Sequence, residues 1–225
     1  IRRPPRSTQS RSSAASDVYK RQEVNRVLYS FHRMNSLLGY IKSESEINKI
    51  AKCSIAVSIE DQAHIQRLSL PEDYIAIALG GEWNYRTYDH WPKVIEHLLM
   101  ENNQLNIILL GSNNANSINK IILENFPTSN IWSCVDKFTF NQTAELISNA
   151  KLLLCCDGGL MHAANSVETK VIPLFARLDA EMQLTQSCQD FSLFDIADVN
   201  NISVADIIRN YLEATSSGHN GHQDE

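Results

Sequence analysis

Short runs of apolar residues alternate with amphipathic stretches through the centre of the chain. The apolar runs predict five strands, at Tyr74–Leu79, Leu105–Leu110, Asn130–Val135, Leu152–Cys156 and Lys170–Phe175. The stretches between and after them predict helices at Trp91–Glu101, Asn116–Asn125, Leu160–Val167, from a cap at Thr139 to Asn149, and from Ser203 to about Leu212. Apolar strands that alternate with helices are typical of a parallel sheet covered on both faces. The predicted fold class is therefore α/β, in which ligands bind beyond the carboxyl ends of the strands.

The pattern is less regular before this sheet. In residues 23–70, Glu44–Ala51 predicts a helix and Ser54–Ser58 a strand, and Leu70–Asp73 is expected to be a connector. None of the apolar runs approaches the roughly 18 residues that a membrane span requires. The length of 225 residues accommodates one large domain or two small ones.

Charge is distributed unevenly along the chain. The net charge is −6, but the first 22 residues contain six basic residues and one acidic residue, so residues 23–225 carry −11. An acidic body argues against a nucleic-acid partner, which needs a basic face. We interpret the basic head, residues 1–22, as translated adapter or vector sequence joined to a partial reading frame; the alternative is a basic arm for anionic lipid or nucleic acid. The polar tail, residues 216–225, is predicted to be disordered.

The five cysteines are irregularly spaced and include no CxxC pair. This spacing predicts neither a disulfide framework nor a zinc site. Cys155 and Cys156 lie in an apolar run, and we interpret them as small buried residues of a protein in a reducing cytoplasm, with a reactive pair as the alternative.

The candidate chemistry is concentrated in one segment, Asp157–Ala164. A buried strand ends at Asp157, Gly158 and Gly159 turn the chain, and a helix begins at once. The free N–H groups and the positive dipole end of such a helix form an anion site, and His162 in its first turn can donate a hydrogen bond, with added charge if its pKa is raised. The alternative is a plain strand–helix turn with a histidine on the helix surface, and spacing alone does not decide between them.

A resemblance favours the anion site. The run Asp157–Asn165, followed by Thr169–Phe175, resembles the signature of glycosyltransferase family 9, which contains the ADP-heptose:lipopolysaccharide heptosyltransferases. Further segments resemble the family in the expected order: Tyr74–Gly81, His90–Pro92, Leu109–Ser112 and Asn141–Ala150. The resemblance covers roughly residues 70–215.

The resemblance implies the GT-B fold, two Rossmann-like domains that face each other across a cleft. Residues 71–215 would be the complete C-terminal domain, which holds the nucleotide sugar, and residues 23–70 the remnant of the N-terminal acceptor domain. The implied reaction is an inverting transfer of heptose, without metal or cofactor, from ADP-heptose to a lipopolysaccharide core acceptor. The implied location is the cytoplasm, with peripheral association at the inner face of the bacterial inner membrane.

The resemblance also assigns roles to residues. The backbone at Gly158, Gly159 and Leu160 would line the diphosphate and His162 would hydrogen-bond to it. Asp157 would lie beside the sugar, with capping of the next helix as its alternative role. Gly111 and Ser112 would pass near the nucleoside, and Gly81 and Glu82 belong to the turn after the first strand.

Two departures from the family pattern bear on function. Asp89 stands where the family usually has a lysine, so that Arg86 either replaces this cation or is simply exposed to solvent. The family's general base is an Asp near the native N-terminus, which this chain is expected to lack, so no catalytic base is assigned and the chain alone is expected to be inactive. Alternatives are another sugar nucleotide, a protein acceptor, or nucleotide binding without catalysis.

Overall fold

The computed structural model describes residues 25–128, 130–178, 180–185 and 188–216. The predicted head lies outside these residues, as does the predicted tail except for Ser216. Ser216 is the last residue of a helix that continues four residues beyond the predicted end at Leu212.

The described residues form one six-stranded sheet in the order β3-β2-β1-β4-β5-β6. The strands are β1 (Ile75–Ala78), β2 (Ile107–Leu110), β3 (Ile131–Ser133), β4 (Leu153–Cys156), β5 (Val171–Ala176) and β6 (Leu193–Asp195). Every pairing between neighbours is parallel. The carboxyl ends of all six strands therefore lie at the same edge, and the predicted α/β class is confirmed.

Nine α-helices accompany the sheet in the described part of the chain. They are α1 (Arg26–Leu37), α2 (Glu44–Ile50), α3 (Ile59–Gln66), α4 (Trp91–Glu101), α5 (Asn116–Asn125), α6 (Phe140–Ser148), α7 (Gly159–Ser166), α8 (Ala180–Gln183) and α9 (Val204–Ser216). The predicted capping box of α6 is present, with Thr139 Oγ1 accepting from the Gln142 N–H and the Gln142 side chain accepting from the Thr139 N–H. None of these helices is long and apolar enough to cross a bilayer.

Two apolar cores cover the two faces of the sheet. Ile75 and Ile77 of β1 face one core, which includes Trp91 of α4, while Ala76 and Ala78 face the other, which includes α6 and α7 residues. Successive strand residues point to opposite faces, so a strand buried on both sides must be apolar throughout. This arrangement explains why the strands were readable from the sequence.

The prediction of a strand at Ser54–Ser58 was wrong, because residues 51–58 have no regular secondary structure. Ile55 and Val57 pack against the core on the α6 side. An extended loop that crosses the face of a helical layer buries every second residue, as a strand would, but no neighbouring strand is there to receive its backbone hydrogen bonds.

The start of α1 is tied to the sheet edge where the strands end. Asn25 caps α1 through its Oδ1, and its Nδ2 donates to the backbone oxygens of Glu181 and Leu184, at 2.6 and 2.7 Å. These bonds fix Arg26, the first residue of α1, beside the segment that follows β5.

Candidate functional site

The turn between β4 and α7 leaves backbone donors open. Gly158 is the N-cap of α7, its backbone is extended, and no side chain caps the helix. The N–H groups of Gly159 and Leu160 make no hydrogen bond within the described part of the chain. Unpaired N–H groups at a helix start attract anions.

The fold itself does not require glycine at this turn. A Cβ added to Gly158 would meet nothing nearer than Cys156 O at 3.9 Å, and one added to Gly159 nothing nearer than Phe140 at 3.6 Å. Both are ordinary van der Waals distances. The space in front of the turn is therefore open for a ligand to approach the backbone closely.

Two adjoining cavities meet at this turn. The first cavity has a volume of about 410 Å³ and the second cavity about 340 Å³. Five residues line both of them: Glu82, Arg86, Asp157, Gly158 and Gly159. A further cavity of about 420 Å³ lies at the opposite edge, around Asp73 and Lys151, far along the strands from every predicted site residue.

The structure brings the predicted site residues together. The first cavity is lined by nine of them: Gly81, Glu82, Arg86, Gly111, Ser112, Asp157, Gly158, Gly159 and Leu160. The tenth, His162, lines the second cavity. Their grouping at the carboxyl edge is a structural fact, whereas their binding of a nucleotide sugar stays a prediction.

Arg86 and Asp157 form an ion pair between the loop after β1 and the end of β4. Arg86 Nη1 donates to Asp157 Oδ2 at 2.8 Å, and the two side chains are 22% and 4% exposed. Both alternative roles are therefore excluded in this structure, because Asp157 does not cap α7 and Arg86 does not extend freely into solvent. Arg86 Nε is buried without a hydrogen-bond partner, so this side chain retains an unused donor.

The surroundings of His162 lower the pKa of its ring from the ordinary value. Its burial lowers the pKa of the ring, and Arg26 lowers it further, while the nearby Asp157 carboxylate acts in the opposite direction. The pKa is thus lowered rather than raised, which disfavours the added positive charge considered for His162. Its ring makes no hydrogen bond within the described residues and remains available as a donor or acceptor.

Asp89, which stands at the family lysine position, is exposed and lines neither cavity. Its backbone N–H donates to Asn200 Oδ1 at 2.8 Å. Trp83 is also exposed and lines neither cavity, whereas Trp91 is fully buried at the start of α4.

Four of the five cysteines are buried and Cys53 is half-buried; the sequence predicted burial for Cys155 and Cys156. Both are buried, and burial raises the pKa of the Cys156 thiol to about 12. Thiols in this state are unreactive at neutral pH. Among the described residues, no three His, Cys, Asp or Glu side chains are arranged to hold a metal ion.

Sequence reasoning missed several residues of both cavities. The first cavity also contains Asn114, Asp136, Phe138, Phe140 and Thr143. The second cavity also contains Arg26, Tyr85, Arg177 and Gln183. Asp136 follows β3 and Arg177 follows β5, so the rule that ligands bind beyond the carboxyl ends of parallel strands would have found both.

The sheet order changes direction between β1 and β4, and the cavities open at this switch point. The fold and the crevice define a doubly wound α/β domain with its ligand site at the carboxyl edge. Residues 6–189 match the profile of a family described as glycosyltransferase family 9 (heptosyltransferase), and the chain belongs to this family. The match begins within residues 1–22, whose interpretation as a non-native head stays a prediction.

Solved structures show the same fold. A family 9 glycosyl transferase from Veillonella parvula is 12% identical, with a TM-score of 0.59 over 74% of this chain and 54% of the other. The ADP-heptose lps heptosyltransferase II of E. coli is 16% identical, with a TM-score of 0.59 over 73% and 54%. The E. coli heptosyltransferase WaaC with ADP is 15% identical, with a TM-score of 0.55 over 81% and 53%.

The chain spans about half the length of these structures. A search of curated proteins found no match.

Proposed function

We propose that the first cavity and the Gly158–Gly159 turn bind a nucleotide sugar, ADP-heptose, as the donor for transfer of heptose to a lipopolysaccharide core acceptor. The observation that carries the proposal is the Gly158–Gly159 turn, where unpaired amides at a helix start face open space at the junction of both cavities. Membership of the family supports the reaction class. E. coli WaaC, a structural relative, has been solved with ADP and with ADP-2-deoxy-2-fluoro heptose.

The lining of the first cavity suits a nucleoside. The Asp136 and Glu82 carboxylates can accept hydrogen bonds from ribose hydroxyls, and Phe138 and Phe140 offer ring surface to a base. The three acidic side chains of this cavity, Glu82, Asp136 and Asp157, exceed its one basic residue, Arg86. The diphosphate is therefore assigned to the turn, where the backbone amides supply positive partial charge, rather than to the body of the cavity.

The proposed reaction breaks the bond between the anomeric carbon and the diphosphate oxygen while an acceptor hydroxyl oxygen bonds to that carbon. The hydroxyl proton passes to a general base, for which we assign no described residue. Negative charge grows on the departing diphosphate, and the amides of Gly159 and Leu160 with His162 stabilise it as preorganised donors. Inversion at the anomeric carbon and independence of metal are parts of this proposal.

The domain assignment belongs to the same proposal. Residues 71–215 would form the donor domain, and residues 23–70 the end of an acceptor domain. We expect the chain alone to bind ADP without transferring sugar. The full enzyme would act in the cytoplasm, at the inner face of the inner membrane where the lipopolysaccharide core is built.

Titration calorimetry on the purified chain tests donor binding. We expect ADP and ADP-heptose to bind, with UDP-glucose much weaker; preference for UDP-glucose would favour the alternative of another sugar nucleotide. Absence of ADP binding at millimolar concentration, in protein shown to be folded by circular dichroism, would refute the proposal. Incubation with ADP-heptose and core lipopolysaccharide, monitored by ADP release, tests the expectation that the chain alone is inactive.

A further inference from the structure

Arg177 is held in an unusual backbone conformation at the carboxyl end of β5. Its φ angle is +69°, in the left-handed region. For a residue other than glycine this conformation costs about 1–2 kcal/mol, and it persists where the surroundings impose it. Here the backbone N–H donates to Asp195 O at 3.3 Å, which fixes the chain direction immediately after the strand.

The side chain of Arg177 is oriented by two further contacts. Its guanidinium carbon lies 3.8 Å from the ring centroid of Tyr85, a stacked cation–π geometry, and its Nε donates to Ala197 O at 3.3 Å. Together these contacts occupy one face and one edge of the guanidinium group. The two terminal nitrogens remain as a pair of donors beside the second cavity.

Arg177 also carries charge that nothing nearby neutralises. Within the part of the chain that the structure describes, neither Arg177 nor Arg26 forms an ion pair, whereas Arg86 is paired with Asp157. Glu82 is the remaining acidic residue of the second cavity. The second cavity therefore has a positive balance, in contrast to the acidic first cavity.

Gln183 supplies an independent sign of a ligand. It is 2% exposed, it lines the second cavity, and its side-chain amide makes no hydrogen bond among the described residues. A ligand with oxygen atoms in the second cavity would satisfy this amide and the free donors of Arg177 together.

We propose that Arg177 and Gln183 form an oxyanion subsite that binds the carboxylate or phosphate group of an anionic sugar. Both residues line only the second cavity, whereas the Gly158–Gly159 turn assigned to the nucleotide diphosphate is shared with the first cavity. A volume of about 340 Å³ accommodates a sugar ring. If the proposed function holds, this anionic sugar is the acceptor, and that assignment rests on the proposed function. The subsite itself does not depend on it.

Calorimetry with three sugars tests the subsite. Glucose 6-phosphate, glucuronate and glucose are titrated into the chain, with and without saturating ADP. We expect one or both anionic sugars to bind at least tenfold more tightly than glucose, and to bind equally well when ADP is present. The two anionic probes distinguish a phosphate ligand from a carboxylate ligand.

Two substitutions at Arg177 separate binding from folding. Arg177→Gln removes the charge and keeps the strained backbone, whereas Arg177→Gly removes the side chain and relieves the strain. We expect both to weaken binding of the anionic sugar at least tenfold while ADP affinity changes less than twofold. Gln183→Leu should weaken the same binding with ADP affinity unchanged. The matched control is Arg209→Gln, because Arg209 is an exposed residue of α9 that pairs with Asp206.

Three results would overturn the inference: no preference for anionic sugars, unchanged anionic-sugar affinity in both Arg177 variants, or competition between the anionic sugar and ADP. Competition would mean that Arg177 binds the nucleotide phosphates instead. Absence of ADP binding, together with binding of the anionic sugar, would refute the proposed function but support the subsite.

Discussion

Arg86 Nη1 lies 2.8 Å from Asp157 Oδ2, and this contact joins the loop after β1 to the end of β4 across 71 residues of sequence. The pair stands at the junction of both cavities. It neutralises the one basic side chain of the first cavity, so a diphosphate at the turn contacts Arg86 only by competing with Asp157 or through the unpaired Nε. The net charge that a ligand meets at the junction therefore depends on whether this ion pair stays intact.

Replacement of Asp157 should affect stability and ligand binding in opposite directions. Asp157→Asn leaves the partly buried Arg86 without an anionic partner, and we expect the free energy of unfolding to fall by about 1–3 kcal/mol. The same change removes a negative charge beside the diphosphate and should raise ADP affinity by roughly threefold or more. Urea denaturation and calorimetry measure the two effects. Arg86→Gln is the companion variant, and if the two substitutions are additive in the double variant, the pair contributes no coupling.

Binding of a nucleotide sugar should take up protons through His162. Burial holds the pKa of His162 below 6.5 in the free protein, and a diphosphate beside the ring would raise it. A group whose pKa rises on binding favours binding as the pH falls, so affinity for ADP-heptose should increase from pH 7.5 to pH 5.5. Calorimetry in buffers of different ionisation enthalpy measures the protons taken up. His162→Gln should abolish the uptake; an unchanged pH dependence would remove His162 from the site.

Two glycine substitutions should separate the ligand's requirements from those of the fold. Gly159→Ala adds a methyl group at an uncrowded helix start, and we expect stability to stay the same or rise by up to about 1 kcal/mol while ADP binding weakens. Gly111 has φ +151°, and its Cβ would lie 2.9 Å from Leu79 O. Gly111→Ala should therefore lower stability by more than about 1 kcal/mol. Thermal unfolding and calorimetry compare the two, and equal ADP affinity in Gly159→Ala and the parent chain would argue against a close approach of the ligand.

The capping box of α6 offers a test of stability in which no charged residue is replaced. Thr139→Ala removes the acceptor for the Gln142 N–H, which lies 3.3 Å away. We expect the free energy of unfolding to fall by about 0.5–2 kcal/mol. Thr139→Ser keeps the hydroxyl and is expected to retain most of the stability. Equal loss in both variants, measured by urea denaturation, would show that the methyl group and not the cap is responsible.

The parallel sheet was predictable because its strands are buried on both sides. Five of the six strands and the helices between them follow from apolar runs and caps near the residues where the structure places them. The exception is β6, Leu193–Asp195, a three-residue edge strand in which no residue is fully buried. β3 is a three-residue edge strand too, but all its residues are half-buried, whereas Phe194 of β6 is 51% exposed, so burial leaves β6 with less of a pattern.

The residues shared by the two cavities were predictable, whereas the stacked pair Tyr85 and Arg177 of the second cavity was not. The residues Asp157–Leu160 and Gly111–Ser112 lie directly after apolar strands, so their shared edge follows from the fold class. Tyr85 and Arg177 are 92 positions apart, and neither forms part of a local motif. Their stacking depends on how the loop after β1 folds over the end of β5, which only the three-dimensional structure shows.

The order of the strands divides the sheet into two continuous stretches of chain. Residues 75–133 supply β1, β2 and β3, and residues 153–195 supply β4, β5 and β6. Within the sheet that the structure describes, the two stretches pair where β1 meets β4, through the register of Ala76 with Leu153 and Ile77 with Leu154.

The proposed ligand contacts both stretches, Gly81 and Gly111 on one side and Gly158 on the other, so it would bridge the seam between them. Strand pairings within each half join residues 18 to 32 positions apart, whereas the seam joins residues 77 positions apart, so we expect the seam to close last. Bound nucleotide would then slow the opening of the seam, seen as slower hydrogen exchange at the Ala76 amide, which donates to Leu152 O across it.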